Sequence, residues 1–123
     1  MANDIRKLPD AELEVMQVIW RLDPPVPRAK IEEEILRPMA QTTLLTFLSR
    51  LAEKGFIRVE KQGRGSCYTP LVARSDYLAA QSRQFIDKLC GGSLPAFASA
   101  LCDSGLTREE IDEFRELLRE DRL

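Results

Sequence analysis

The chain contains no histidine among its 123 residues. Imidazole is the commonest acid-base group near neutral pH and a usual zinc ligand, so its absence excludes the simplest catalytic and zinc sites. The sequence also lacks a Gly-rich phosphate loop and a clustered nucleophile and base. We therefore expect neither an enzyme, nor a metal ion, nor an organic cofactor.

Cysteine is scarce, and Cys67, Cys90 and Cys102 form no Cys-x-x-Cys pair. An odd, widely spaced set with apolar neighbours is typical of reduced packing residues rather than of a disulfide framework. No apolar run approaches the roughly eighteen residues that span a bilayer, and the N-terminal sequence is polar, unlike a secretory signal. We expect a cytoplasmic protein without direct membrane insertion.

Net charge is low, because 18 basic and 20 acidic side chains give −2. This balance argues against an indiscriminate nucleic-acid binder. The distribution is uneven, however: residues 37–74 hold seven basic and two acidic side chains, a net of +5, whereas residues 75–123 hold six basic and ten acidic ones, a net of −4. Positive charge is thus concentrated in one segment, as a specific contact with phosphate requires.

Residues 39–71 predict a helix that leads directly into a two-stranded ribbon, the order of a winged helix-turn-helix. Leu44, Phe47, Leu48 and Leu51 recur at helical spacing, so one stripe of this helix faces a core. The other face is rich in short hydroxyls and poor in Glu and Lys. Candidate DNA-binding residues on this helix are Gln41, Thr42, Thr43, Leu45, Thr46, Ser49 and Arg50.

The polar face of this helix suits the major groove, because Thr can contact a thymine methyl or a base edge and Arg can bond guanine with two hydrogen bonds. The alternative is a simple solvated face, the default for a surface helix. Leu45 is apolar on this face. It could cover a thymine methyl, or it could belong to an unusual protein interface.

The ribbon begins after Gly55, which can supply a left-handed helix end, and residues 56–61 alternate like a half-buried strand. Residues 62–65, Gln-Gly-Arg-Gly, predict a turn, and the second strand ends at Pro70. Lys54, Lys61 and Arg64 are the candidate contacts to the DNA backbone. An Arg at a hairpin tip can reach phosphate or the minor groove, although it is also a common solubilising choice.

Two helices are predicted before this segment. The first begins at Pro9 or Asp10 and carries Trp20, which we expect in the core. Residues 23–27 break it, and the extended connector places Val26 against the sheet. The second helix is predicted over residues 28–36, followed by a very short turn.

The remaining residues predict three helices with clear boundaries. Ser75-Asp76 opens the first, Ser93 the second, and a capping box from Thr107 to Glu110 the third. Fewer than fifty residues rarely fold alone, so we expect a homodimer, the alternative being that these helices pack on their own winged domain. The predicted dimerisation residues are Phe85, Ile86, Leu89, Phe97, Leu101, Phe114 and Leu118.

Several blocks in a fixed order carry a resemblance to a known family. They are residues 8–16 with Trp20, Thr42 to Thr46 leading to Arg50-Leu51, Lys54-Gly55, Tyr68 with Pro70-Leu71, and residues 91–93. From about residue 8 to 118 the chain resembles the penicillinase-repressor family, of the BlaI and MecI type. The resemblance implies a winged helix-turn-helix plus a three-helix C-terminal dimerisation region, mainly α with a small β-hairpin wing, and we place the two domains at 1–73 and 74–123.

The resemblance also implies function. In that family the N-terminal half binds a palindromic operator of double-stranded DNA, and the helical half makes the dimer. In β-lactam-responsive members a membrane-bound metalloprotease sensor leads to cleavage in the middle C-terminal helix. Alignment from Gly91-Gly92 places the corresponding bond at Ala100-Leu101. The two functional hypotheses are therefore a dimeric transcriptional repressor released by proteolysis, and a winged-helix protein-protein interaction module without specific DNA binding.

Overall fold

A computed structural model describes residues 5–120, and the described chain divides into two compact units after Gln81. Among these residues six helices and three strands are present, which confirms the mainly α fold with a small β wing. The elements are α1 (Asp10–Arg21), β1 (Val26–Pro27), α2 (Arg28–Glu34), α3 (Gln41–Glu53), β2 (Ile57–Gln62), β3 (Gly65–Pro70), α4 (Arg74–Leu89), α5 (Leu94–Asp103) and α6 (Arg108–Arg119).

The core of the first unit lies where α1 and α3 pack together. Val15, Met16 and Ile19 of α1 are fully buried, as are Leu48 and Leu51 of α3. The apolar stripe predicted for α3 is therefore the buried face of that helix. Because this stripe is buried, the opposite side of α3 faces solvent.

A three-stranded antiparallel sheet completes the first unit, with strand order β1-β3-β2. Val26 pairs with Tyr68, so the connector after α1 lies against the sheet as predicted. Gln62 pairs with Gly65, which leaves Gly63 and Arg64 as a two-residue turn. Gly63 has φ of +61°, a left-handed conformation that glycine adopts without steric cost.

The end of α3 turns the chain toward the wing, which is the hairpin of β2 and β3. The amide of Gly55, at φ +81°, donates to the carbonyl of Ala52 at 3.1 Å, and that of Phe56 donates to the carbonyl of Leu51 at 2.9 Å. This pair of bonds is the Schellman helix end, and the buried Phe56 and Leu51 supply its usual apolar contact. Glycine at this position therefore sets the direction of β2 relative to α3.

The segment between α2 and α3 differs from the prediction. We expected α2 to reach Leu36 before a very short turn, but α2 ends at Glu34, and residues 35–40 form the connection. Ile35 has an extended backbone, with φ −72° and ψ 132°, and the Leu36 side chain is 93% exposed. Ile35 and Leu36 are therefore apolar residues that lie outside the helix, and Leu36 is not buried.

The first turns of α4 belong to the first unit. The buried Tyr77 hydroxyl accepts a hydrogen bond from the backbone amide of Leu8 at 2.9 Å. Tyr77 also packs on the rings of Trp20 and Phe56, at centroid distances of 5.6 and 5.9 Å. Trp20 is partly rather than fully buried, and its indole N–H donates to the carbonyl of Val72 at 2.9 Å.

The second unit contains the rest of α4 with α5 and α6. Ser93 caps α5 through the amide of Ala96, and both bonds of the predicted capping box between Thr107 and Glu110 are present. Among residues 82–120 only Ile86 is buried, and no residue of α5 or α6 is. These helices therefore have well-defined ends but no closed apolar core within the described part of the unit.

Candidate DNA interface

The solvent face of α3 carries all seven residues that the sequence predicted on this helix. Gln41, Thr42, Thr43, Leu45, Thr46, Ser49 and Arg50 are all exposed. The Thr46 hydroxyl donates to the backbone carbonyl of Thr42 at 2.9 Å. This bond occupies its proton, so Thr46 presents a methyl group and oxygen lone pairs to a ligand.

Ion pairs divide the basic residues of this half into two groups. Arg37 is paired with Glu14, Lys54 with Glu12, and Arg58 with Glu60. In contrast, Arg50 on α3 and Lys61 and Arg64 on the wing have no ion pair among residues 5–120. An unpaired exposed cation is available for an anionic partner, and these are three of the four cations that the sequence predicted at the interface, the fourth being Lys54.

Lys54 has a protein partner that the sequence did not reveal. Its ammonium lies 2.5 Å from a carboxylate oxygen of Glu12, whose side chain is only 3% exposed, whereas the Lys54 side chain is 26% exposed. The pair joins α1 to the end of α3. The signal for it was an acidic residue inside the apolar run of α1, and the contact of Lys54 with phosphate stays a prediction.

A shallow groove between α3 and the sheet is the feature that sequence reasoning missed. It is lined by Leu45, Leu48, Ser49, Ala52, Glu53, Val59 and Tyr68. Leu45 and Val59 are 36% and 46% exposed, so both present apolar surface in the groove. Tyr68 adds no charge to the groove, since tyrosine is neutral near pH 7; burial raises the pKa of its hydroxyl above the ordinary value, and nearby Arg28 lowers it in part.

The residues predicted for dimerisation differ in exposure. Phe85 is 43% exposed, Leu89 71%, Phe114 38% and Leu118 51%. Phe97 and Leu101 are partly buried, and the Phe85 and Phe97 rings contact each other edge-to-face at 5.9 Å. Ile86, however, is already buried within the single chain. The candidate cleavage bond, Ala100-Leu101, lies inside α5, with Ala100 exposed.

No helix within residues 5–120 is both long and apolar enough to cross a membrane. The combination of α1, α2, α3 and a β2-β3 wing, with a polar exposed face on α3, defines a winged helix-turn-helix protein. Residues 8–120 match the penicillinase repressor family. The chain belongs to that family, which confirms the predicted class and the expectation of a transcriptional regulator rather than an enzyme.

Known proteins agree with this assignment. The chain is 34% identical to the penicillinase repressor of Bacillus licheniformis over 124 residues, covering 94% of this chain and 92% of that protein. It is also similar to the solution structure of the DNA-binding domain of the repressor BlaI, with 37% identity and a TM-score of 0.53 over 59% of this chain and 90% of that one. A second solution structure, monomeric Bacillus licheniformis BlaI in complex with the blaP half-operator, matches with 37% identity and a TM-score of 0.50 over the same shares.

Proposed function

We propose that the chain is a dimeric, sequence-specific repressor that binds a palindromic DNA operator and blocks transcription by occupying it, in the cytoplasm. One observation carries the proposal: the exposed face of α3 continues into a wing on which the basic residues Lys61 and Arg64 have no ion pair within the described residues. A related domain, that of BlaI, has been solved on a half-operator, and this chain is 37% identical to it.

Base reading is assigned to α3. Arg50 is the strongest candidate, because a guanidinium can form two hydrogen bonds with guanine. Thr42, Thr43, Thr46 and Ser49 surround it with small groups that fit the floor of the major groove, and Gln41 stands at the first turn, where an amide can recognise adenine. These contacts would distinguish one operator from another.

Backbone contacts are assigned to Lys54, at the end of α3, and to the wing. Lys61 lies near the end of β2 and Arg64 lies in the turn. Cations at these places neutralise phosphate and release counterions, which strengthens binding to any sequence. Residues 75–123 carry a net charge of −4, so this segment is not expected to bind phosphate.

Dimerisation is assigned to the second unit. Leu89, Phe114 and Leu118 expose large apolar side chains, and α5 and α6 bury none within the described chain. Such a surface is costly in water and typical of a face that a partner covers. A second copy would cover it symmetrically and place two α3 helices on the two halves of a palindrome.

Release is assigned to cleavage at Ala100-Leu101 by a membrane-bound metalloprotease sensor, as the family resemblance implies. α5 has ten residues and none of them is buried. A short helix that buries no residue in its own chain is weakly held, so local unwinding of α5 would expose the bond to a protease. A cut there would separate Phe97 from Phe114 and weaken the dimer.

Variants of Arg50 and Lys61 test the proposal. Arg50→Ala should lose about 1–3 kcal/mol per half-site and relax base preference, whereas Lys61→Ala should weaken all sequences alike and lower the salt dependence. Titration against a selected and a scrambled duplex measures both. Equal losses on the two duplexes for Arg50→Ala would contradict its reading role.

A protein-interaction module is the second candidate, and the exposed Leu45 and Val59 favour it. Salt dependence separates the two functions, because phosphate contacts release counterions and apolar protein contacts release far fewer. An affinity for duplex DNA that falls steeply with salt, together with preference for one sequence, supports the repressor. Failure to prefer any duplex would favour the module.

A further inference from the structure

The groove between α3 and the sheet bears on which base the protein recognises. Leu45 lies on the reading face of α3, one turn from Thr42 and from Ser49. On the other side of the groove is Val59, in the middle of β2 and paired with Tyr68 of β3. The groove therefore has an apolar residue on each side at the edge of the proposed DNA surface.

The side chains of β2 connect this groove to the wing. Ile57, Val59 and Lys61 share one face of the strand, because successive side chains alternate. Ile57 is 2% exposed and Val59 is 46% exposed, so this face passes from the core to the solvent within two residues. Lys61 continues on the same face toward the turn. A DNA duplex that contacts both Lys61 and α3 would therefore lie across Val59.

The chemistry of the groove excludes phosphate as its occupant. Glu53 contributes a carboxylate at one end, which repels an anion. The Tyr68 hydroxyl is neutral near pH 7, as tyrosine ordinarily is, and burial raises its pKa further. No basic side chain lines the groove among the described residues. An uncharged, apolar group is the occupant that these walls favour.

Duplex DNA offers one such group in the major groove. The 5-methyl of thymine is the apolar substituent that base edges present there. We propose that Leu45 and Val59 form an apolar site for the methyl group of one thymine in each operator half-site. This inference rests on the proposed function, since it requires α3 to lie in the major groove, and it assigns part of the specificity to a strand residue outside α3.

Uracil substitution tests the site, because uracil pairs like thymine but lacks the methyl group. A preferred duplex is first selected by the full-length protein from a random-sequence library. Each thymine is then replaced in turn by uracil, and affinities are measured for the wild type and Leu45→Ala. The wild type should lose about fourfold per half-site at one thymine, the value for one buried methyl at about 0.8 kcal/mol. Leu45→Ala should bind the thymine and uracil duplexes equally at that position.

Two further variants sharpen the experiment. Leu71→Ala is the matched control, since Leu71 is 53% exposed and does not line the groove, and it should keep the wild-type response to uracil. Val59→Thr keeps the shape of the side chain but replaces one of its methyl groups with a hydroxyl, and should reduce the response to uracil.

The outcomes separate this inference from the proposed function. Selection of a preferred duplex in which every thymine tolerates uracil would overturn the inference and leave the repressor function intact. The inference would also be overturned, with the repressor function intact, if Leu45→Ala keeps the full loss of affinity on uracil substitution. An unchanged loss in Val59→Thr would remove Val59 from the site. Failure to select any preferred duplex would overturn both.

Discussion

The ion pair between Glu12 and Lys54 should contribute more to stability than any exposed pair. In Lys54→Met the apolar stem remains and the ammonium is lost, which leaves the Glu12 carboxylate, 3% exposed, without its cation. Removing one partner of a buried pair costs about 3–5 kcal/mol. Because the Lys54 side chain is 26% exposed, water screens the pair, and we expect a loss of about 2–3 kcal/mol.

Urea unfolding of the full chain measures this loss. Trp20 is the single tryptophan and packs against Tyr77 in the first unit, so its fluorescence reports the unit that contains the pair. Lys30→Met is the matched control, since Lys30 and Glu33 form a pair of 3.9 Å whose side chains are 48% and 68% exposed. That variant should lose less than about 1 kcal/mol.

A double variant and a binding assay complete the experiment. Glu12→Gln with Lys54→Met removes both charges and should recover most of the stability, because no buried ion is left unpaired. On DNA, Lys54→Met tests the predicted phosphate contact of Lys54, whose loss should lower the slope of log affinity against log salt concentration by about 0.9. The reasoning is refuted if Lys54→Met is as stable as Lys30→Met, and an unchanged slope would remove Lys54 from the DNA interface.

Three further predictions concern the anchor of α4, the dimer and the cleavage site. Tyr77→Phe removes the acceptor of the Leu8 amide and should cost about 1–3 kcal/mol in urea unfolding, and an unchanged midpoint would show that the bond is dispensable. Leu101→Asp places a charge in the proposed dimer contact and should give monomer in sedimentation, and a folded dimer of unchanged mass would place the interface elsewhere. A chain ending at Ala100 should keep the Trp20 fluorescence of the folded protein but lose tight binding to a palindrome. The gain in affinity of about 10²–10⁴-fold that comes from linking two half-site binders disappears without the dimer. Full-length affinity of that chain would show that dimerisation does not control repression.

The sequence by itself determined the local structure and the family. The stripe of Leu44, Leu48 and Leu51 fixed the buried face of α3, and therefore its solvent face. The Thr107 to Glu110 capping box and the Ser93 cap fixed helix starts, because these bonds join residues three positions apart. The segment after Glu34 shows the limit of local signals, because the apolar Ile35 and Leu36 suggested a longer helix but α2 ends at Glu34.

Only the tertiary structure decided which side chains meet across the chain. Lys54 meets Glu12 over 42 positions, and Tyr77 meets Leu8 over 69. Nothing in the spacing of those residues encodes the pairing, because it depends on how α1, α3 and α4 pack. The same is true of Val59: strand alternation says which residues share its face, but only the packing of α3 beside β2 places that face at the edge of a groove. Contacts between neighbours in sequence follow from backbone geometry, whereas contacts between distant residues follow from the burial of the whole core.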